Sequence, residues 1–154
     1  MEHIDTTITH HVYGIDINEA YLDAARVRFQ DRIPHLDLIK RDLSEDVTEV
    51  AKVDFVWAGL IFEYIEIGRC FQFITNNVKN NGHVVVTIQV NNGASSVSKT
   101  GVESVKLAGQ IFKPVESSEL LATAERYTFK QVASEENELS NGKTFKTFCF
   151  IKEA

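Results

Sequence analysis

The chain has 154 residues, of which 44% are hydrophobic and 25% are charged, and its formal net charge is −6. This composition fits a globular domain with a real hydrophobic core, while the negative charge argues against broad nucleic-acid binding, which needs a basic surface. No apolar run reaches the roughly 20 residues of a membrane helix, and the first five residues lack the features of a signal peptide. Cys70 and Cys149 show neither metal-ligand spacing nor a disulfide framework, so we expect reduced thiols in a cytoplasmic protein.

The first half of the chain predicts three buried strands separated by helical or polar segments. Asn18 is a good N-cap for the first helix, and Glu19 places a carboxylate in its first turn. Residues 45–52 are polar and predict a short helix or turn. The strands are expected at 12–15, ending at Asp16, at 36–39 and at 53–58.

The second half predicts two helices, one further parallel strand and a terminal hairpin. Ile67, Phe71, Ile74 and Val78 have helical spacing, and Asn80-Asn81-Gly82 predicts the end of that helix, with Gly82 in the left-handed conformation. The β-branched run 84–88 is typical of a strand covered on both faces. Ser117 is expected to cap the last helix, and Asn141-Gly142 predicts a type I′ turn between the extended stretches 127–139 and 143–152.

This alternation of strands and helices indicates an α/β fold with a mostly parallel sheet and a C-terminal antiparallel hairpin. We expect one domain over residues 1–154. Residues 91–114 have mixed signals and are interpreted as an inserted loop.

Two carboxylates end neighbouring strands of this predicted sheet. A carboxylate in the place of Asp16 can accept both ribose hydroxyls of an adenosine-containing cofactor. Asp42 can accept from an adenine amine while Leu43 packs on the ring, and Ile17 can form an apolar wall below it. The alternatives are that Asp16 caps the following helix, that Asp42 is an exposed turn residue and that Ile17 is part of the core.

The segments 12–18, 38–43, 53–65 and 80–87, followed by the hairpin, resemble class I S-adenosylmethionine-dependent methyltransferases in order and spacing. The resemblance covers nearly the whole chain and implies a Rossmann-like three-layer αβα sandwich. It implies that Asp16 binds the ribose and Asp42 the adenine of the cofactor. It places Ala58, Gly59 and Leu60 beside the methionine part, and the adjacent residues Glu63 and Tyr64 where substrate and cofactor meet. It also places residues 91–114 on the substrate side.

The chain departs from this family at its beginning. The family starts with a strand that runs into a Gly-x-Gly-x-Gly loop, and Asp16 lies too close to Met1 for that strand to precede it. We therefore expect an N-terminally truncated family member in which residues 1–11 are the end of the first helix and its connection. The absent strand is central in the family's sheet. Direct pairing of the two edge strands, the N-terminal residues or an element exchanged with a second chain can close the gap, and we expect a homodimer.

Three functions remain open at this point. The first is a methyltransferase that acts on a small molecule with S-adenosylmethionine, in which Glu63 and Tyr64 orient or deprotonate the acceptor unless they merely begin a helix. The second is a non-catalytic, degenerate form of the fold that serves in interaction or dimerisation. The third is a nicotinamide-binding Rossmann oxidoreductase, for which Asp16 serves equally well. The sequence predicts no metal site and no membrane partner.

Overall fold

Strands and helices alternate along the chain in a computed structural model, which describes residues 1–91 and 111–154. Most of residues 91–114, the predicted inserted loop, therefore lie outside the described residues. The predicted order of elements is confirmed over the described ranges. The elements are β1 (Val12–Asp16), α1 (Glu19–Phe29), β2 (Leu36–Lys40), β3 (Val53–Gly59), α2 (Ile67–Asn77), β4 (Val78–Val90), α3 (Ser117–Arg126), β5 (Phe129–Glu138) and β6 (Thr144–Lys152).

The chain divides into two compact units, Met1–Asp46 and Val47–Ala154, and the prediction of one domain stays a prediction. In the first unit β1 and β2 pair in parallel, with Asp16 opposite Lys40 at the last position of the register. Helix α1 begins after Asn18, whose side chain accepts a hydrogen bond from the N–H of Ala20 at 3.0 Å. The predicted N-cap is confirmed.

The second unit contains a four-stranded sheet in the order β3-β4-β6-β5. Strands β3 and β4 pair in parallel, whereas β6 lies antiparallel to both β4 and β5. The prediction of an α/β sheet with one strand inserted antiparallel by a terminal hairpin is confirmed.

Helices α2 and α3 cover one face of this sheet. Phe71 of α2 and Leu120 of α3 are completely buried in the same cluster as Val84 and Val86 of β4. The ring of Phe71 lies 5.6 Å from that of Phe129, so the helix also contacts β5. Alternate residues of a strand point to opposite faces. The side chain of Val85, which lies between Val84 and Val86 in β4, is therefore on the other face of the sheet.

The end of α2 differs from the prediction. The helix ends at Asn77, and residues 80–82 belong to the irregular beginning of β4, where the register with β3 shifts. Asn81 has the left-handed φ of 61° that was expected at Gly82. Gly82 is required for a different reason, since a Cβ there would lie 2.5 Å from Cγ2 of Val78 and 2.8 Å from the carbonyl oxygen of Lys79.

Two smaller predictions about turns are also wrong. Ser117 is the first residue of α3, and the N-cap position belongs to Glu116 without a side-chain hydrogen bond. In the hairpin only Gly142 has a positive φ, of 81°, so the turn is not type I′. The N–H of Gly142 donates to the carbonyl of Leu139 at 3.0 Å, which is typical of a three-residue hairpin loop with glycine in the left-handed position.

Two predicted segments have less regular structure than a helix. Residues 1–11 form two turns, one of them closed by the N–H of Thr9 on the carbonyl of Asp5 at 2.9 Å. Residues 46–52 form no regular element, and the turn expected there lies at 43–45. Among the described residues, no helix is long and apolar enough to cross a membrane.

The close contacts around Gly82 predict that Gly82→Ala lowers the free energy of unfolding by about 1–3 kcal/mol, because backbone and side-chain atoms must move to admit the methyl group. The matched control is Gly59→Ala, where the nearest atom to the added Cβ is a Trp57 ring carbon at an ordinary 3.6 Å. We expect that change to stay within about 0.5 kcal/mol. Urea denaturation measures both, and equal losses in the two variants would contradict the packing explanation.

Candidate functional site

The two predicted cofactor-binding carboxylates lie at the same edge of the β1–β2 pair. Parallel strands end at the same edge of a sheet. Asp16 is the last residue of β1, and the N–H of Arg41 donates to its carbonyl oxygen at 3.0 Å. Asp42 follows Arg41 directly. The first unit therefore brings Asp16 and Asp42 together as the sequence predicted.

Each of these carboxylates is fixed through one oxygen. Oδ1 of Asp16 accepts from the N–H of Asn18 at 2.8 Å, and Oδ1 of Asp42 accepts from both the N–H and the hydroxyl of Ser44, at 2.8 and 2.6 Å. Within the described part of the chain, neither Oδ2 has a hydrogen-bond partner. Both side chains are half-buried. Each carboxylate is thus held in place and retains a free acceptor, which fits a ligand that carries hydroxyl or amine donors.

The two apolar residues predicted beside these carboxylates differ in exposure. The side chain of Ile17 is 60% exposed next to Asp16, so it offers an apolar surface at this edge. Leu43 is only 8% exposed and belongs to the buried residues. The roles of both in binding an adenine ring stay predictions.

The predicted methionine-side segment lies at the carboxyl end of β3. Ala58 is buried, Gly59 is the last residue of the strand, and Leu60 has a left-handed φ of 55°. This conformation costs a residue with a side chain about 1–2 kcal/mol. The N–H of Leu60 donates to the carbonyl of Thr87 at 3.0 Å, which holds the strained residue beside β4. Backbone strain of this kind clusters at ligand-binding segments.

Glu63 is completely buried immediately beyond this segment. Its Oε1 accepts from the N–H of Gln89 at 2.5 Å, whereas its Oε2 has no hydrogen-bond partner among residues 1–91 and 111–154. Burial raises the pKa of the Glu63 carboxyl, and the bond from the Gln89 N–H opposes this only in part. The carboxyl has no exposed surface on which to meet an acceptor. It therefore acts in this structure as a positioning group, which ties the segment after β3 to the end of β4.

Tyr64 is the exposed member of the predicted catalytic pair. It is 36% exposed, and its ring lies edge-on to Phe112 with the ring centres 6.0 Å apart. The N–H of Lys113 donates to the carbonyl of Glu63 at 2.8 Å. Burial and then the neighbouring Glu63 carboxylate raise the pKa of the Tyr64 hydroxyl. At neutral pH this hydroxyl is a hydrogen-bond donor and not a phenolate.

Sequence reasoning missed two features at the carboxyl end of β3. The conformation of Leu60 has no local signal, since leucine is not a turn residue. The bond from the Gln89 N–H to Glu63 joins residues 26 positions apart. The one available signal was a single carboxylate within an otherwise apolar stretch, since Glu63 stands between Phe62 and Tyr64. Among the residues that the structure describes, no group of three or more His, Cys, Asp or Glu side chains is placed to hold a metal ion.

Comparison with known proteins identifies the family. The sequence model of the methyltransferase domain family matches residues 1–86, which is more than half of the chain. The chain belongs to this family. The curated proteins searched contain no match to it.

Solved structures show the same fold at low sequence identity. An S-adenosylmethionine-dependent methyltransferase from Mesorhizobium loti superposes with a TM-score of 0.72 at 16% identity, over 92% of this chain and 80% of that one. A putative S-adenosylmethionine-dependent methyltransferase from Listeria monocytogenes gives 0.72 at 15% identity, over 94% and 81%. A geranyl diphosphate C-methyltransferase from Streptomyces coelicolor, in complex with S-adenosylhomocysteine, gives 0.69 at 12% identity, over 92% and 65%. The predicted Rossmann-like α/β fold is confirmed.

The burial of Glu63 predicts a specific pH dependence of stability. Because its pKa is raised in the folded state, the folded chain binds more protons than the unfolded chain between the unfolded pKa of about 4.3 and the raised folded value. Stability from protonated Glu63 is therefore present at low pH and is lost as the pH rises through the folded pKa. Glu63→Gln keeps an acceptor for the Gln89 N–H and removes the titration.

We expect the free energy of unfolding of the natural chain, relative to that of Glu63→Gln, to fall as the pH rises from about 4. Denaturant titrations at a series of pH values measure this difference. Glu153→Gln, an exposed carboxylate near the end of β6, is the control for the loss of one negative charge. A difference between the natural chain and Glu63→Gln that does not change with pH would contradict the assignment of a buried, titrating carboxyl.

Proposed function

We propose that this chain is an S-adenosylmethionine-dependent methyltransferase that acts on a small molecule in the cytoplasm. The observation that carries the proposal is the pair of half-buried carboxylates at one sheet edge, Asp16 and Asp42, each with one oxygen held and the other open. Membership of the methyltransferase domain family supports the reaction. The free thiols of Cys70 and Cys149 support the compartment.

The residues at the β1–β2 edge fit the adenosine part of the cofactor. Two neighbouring ribose hydroxyls need acceptors, and Oδ2 of Asp16 is available while the Asn18 N–H fixes the carboxylate. Asp42 offers an acceptor for the adenine amine, and exposed Ile17 offers an apolar surface for its ring. Ala58, Gly59 and Leu60 are assigned to the methionine part on the family resemblance alone.

The bound cofactor supplies the methyl group and its sulfur leaving group, so the protein mainly contributes position and exclusion of water. Tyr64 is assigned the orientation of an acceptor on the family resemblance, and its hydroxyl is a donor at neutral pH with its ring against Phe112. Glu63 is a positioning group for Tyr64. Its carboxyl accepts a hydrogen bond from the N–H of Gln89, and its carbonyl accepts one from the N–H of Lys113.

A non-catalytic interaction module is the second candidate, and the exposed aromatic side chains of β3 favour it. In that case Asp16 and Asp42 at the β1–β2 edge are turn residues only. The two candidates differ in a single measurable property, which is the affinity for the cofactor. The nicotinamide alternative differs from both in the affinity for NADH.

We expect the natural chain to bind S-adenosylhomocysteine in isothermal titration calorimetry and not to bind NADH. Asp16→Asn keeps an oxygen for the Asn18 N–H but loses the charge and one acceptor, so we expect affinity about 10–100-fold weaker, which is the strength of one or two hydrogen bonds to a charged group. Asp31→Asn, an exposed carboxylate after α1 in the same unit, is the control and is expected to bind as the natural chain does.

The outcomes separate the candidates. No binding of S-adenosylhomocysteine at millimolar concentration would overturn the methyltransferase proposal and favour the interaction module. Tight binding of NADH would favour the oxidoreductase. Equal affinity of the natural chain and Asp16→Asn for S-adenosylhomocysteine would indicate that the ligand binds elsewhere. That result would contradict the assignment of the β1–β2 edge as the adenosine site.

A further inference from the structure

The sequence contains three asparagines that are followed directly by glycine, at positions 81, 92 and 141. The pair Asn92-Gly93 lies outside the described residues. Glycine has no side chain to shield its backbone nitrogen, so this nitrogen can approach the side-chain amide of the asparagine before it. The pairs Asn81-Gly82 and Asn141-Gly142 share this local chemistry, and they differ in their surroundings.

The pair Asn141-Gly142 lies at the exposed tip of the β5–β6 hairpin. Apart from the chain neighbours of Gly142, no atom of the described residues lies within 4 Å of the place that a Cβ on this glycine would occupy. The N–H of Gly142 donates to the carbonyl of Leu139 at 3.0 Å. A hydrogen bond at an exposed loop tip opens by local fluctuation at a small cost in free energy. The Gly142 nitrogen is therefore accessible for reaction with its neighbour.

The side chain of Asn141 is folded back towards the backbone that follows it. Its Oδ1 accepts a hydrogen bond from the N–H of Lys143 at 3.1 Å. Because Gly142 lies between these two residues, the bond brings the Asn141 amide beside the Gly142 nitrogen. The Lys143 N–H also polarises the Asn141 carbonyl, and a donor on an oxygen that becomes negatively charged lowers the barrier to attack. The hairpin tip thus combines a nucleophile, an electrophile and a donor for the developing charge.

The pair Asn81-Gly82 lies in a crowded part of β4. Asn81 is exposed, whereas Gly82 is buried. A Cβ on Gly82 would lie 2.5 Å from Cγ2 of Val78, 2.8 Å from the carbonyl oxygen of Lys79 and 3.1 Å from that of Asp54. Closure of a ring between Asn81 and Gly82 requires the backbone to rotate, and these atoms leave no room for the rotation. The fold therefore protects this pair.

We propose that Asn141 is a site of spontaneous deamidation in the folded protein. The Gly142 nitrogen attacks Cγ of Asn141, and the new C–N bond closes a five-membered succinimide ring. The proton of the Gly142 N–H passes through water to the side-chain amide, whose bond to Cγ breaks so that it leaves as ammonia. A water molecule then opens the ring at either carbonyl and gives aspartate or isoaspartate. The reaction consumes one water and releases one ammonia.

The isoaspartate product alters the hairpin more than the aspartate product does. In isoaspartate the main chain runs through the side-chain carbon atoms, so the loop gains one backbone atom. The loop is closed by the N–H of Leu139 on the carbonyl of Lys143 at 2.8 Å and by the bond from Gly142 to Leu139. Loop length determines the register of a hairpin. The isoaspartate form therefore loosens the adjoining end of the β5–β6 pair, where Glu138 lies opposite Thr144.

Peptide mapping of the natural chain tests the site without a substitution. Trypsin releases residues 131–143 as one peptide, which contains Asn141 and also Asn137, an asparagine followed by Glu138. After prolonged warm incubation at neutral pH, we expect this peptide to gain one dalton, with the change located at Asn141 by fragmentation. Asn137 is the internal control and is expected to stay unchanged, because the side chain of the next residue hinders the attack.

The same incubation in urea separates the effect of the fold from that of the sequence. In the unfolded chain both pairs are equally free, so we expect Asn81 and Asn141 to react at comparable rates. In the folded chain we expect Asn141 to react at least about tenfold faster than Asn81, since reaction at Asn81 requires local unfolding of β4. Fragmentation also distinguishes Asn81 from Asn92, which lies in the same tryptic peptide.

Asn141→Gln is the matched variant, because glutamine keeps the amide but its longer side chain would have to close a six-membered ring. We expect the mass change of peptide 131–143 to be lost in this variant. A natural peptide that reacts in urea and stays unmodified in the folded chain would overturn the proposal. Equal rates at Asn81 and Asn141 in the folded chain, or the same difference between them in urea, would also overturn it. The readout is a peptide mass, so the test is independent of the proposed methyltransferase activity.

Discussion

The hydrogen bonding of β4 along both of its edges is the constraint on which the second unit depends. Val84, Val86 and Ile88 are all completely buried between β3, β6 and the two helices. Complete burial of one such side chain contributes about 1.5–3 kcal/mol. The register of β4 with β3 also brings Thr87 beside Gly59. The carboxyl end of β3, where Leu60 leaves the sheet, is thereby held against a buried strand through the bond from the Leu60 N–H to Thr87.

Glu63 extends this constraint beyond the last strand pair. Its bond with the Gln89 N–H joins the segment after β3 to the end of β4, and its own carbonyl accepts from Lys113. A buried carboxyl is costly when ionised, and no described residue gives Oε2 a hydrogen bond that would offset that cost. The raised pKa of Glu63 is the expected response, because the neutral form is less costly to bury. The arrangement holds Tyr64 at the surface with its ring against Phe112.

Features that depend on local sequence were predictable, and features that depend on distant contacts were not. The N-cap at Asn18 and the positions of the strands follow from short-range patterns, and the structure confirms them. Asn80-Asn81-Gly82 was misread because two effects favour glycine, namely a positive φ and a lack of space. At Gly82 the second operates, through atoms of Val78, Lys79 and Asp54 that no local pattern reveals. The burial of Glu63 was hidden for the same reason.

The β1–β2 edge is proposed to bind the adenosine part of the cofactor. The most direct measurement is a titration of the ¹⁵N-labelled chain with S-adenosylhomocysteine, followed by amide chemical shifts. We expect the largest shifts in the first unit at Asp16, Ile17 and Asp42, where the open carboxylate oxygens and the exposed isoleucine lie. Unchanged shifts at these three amides with saturating ligand would contradict it.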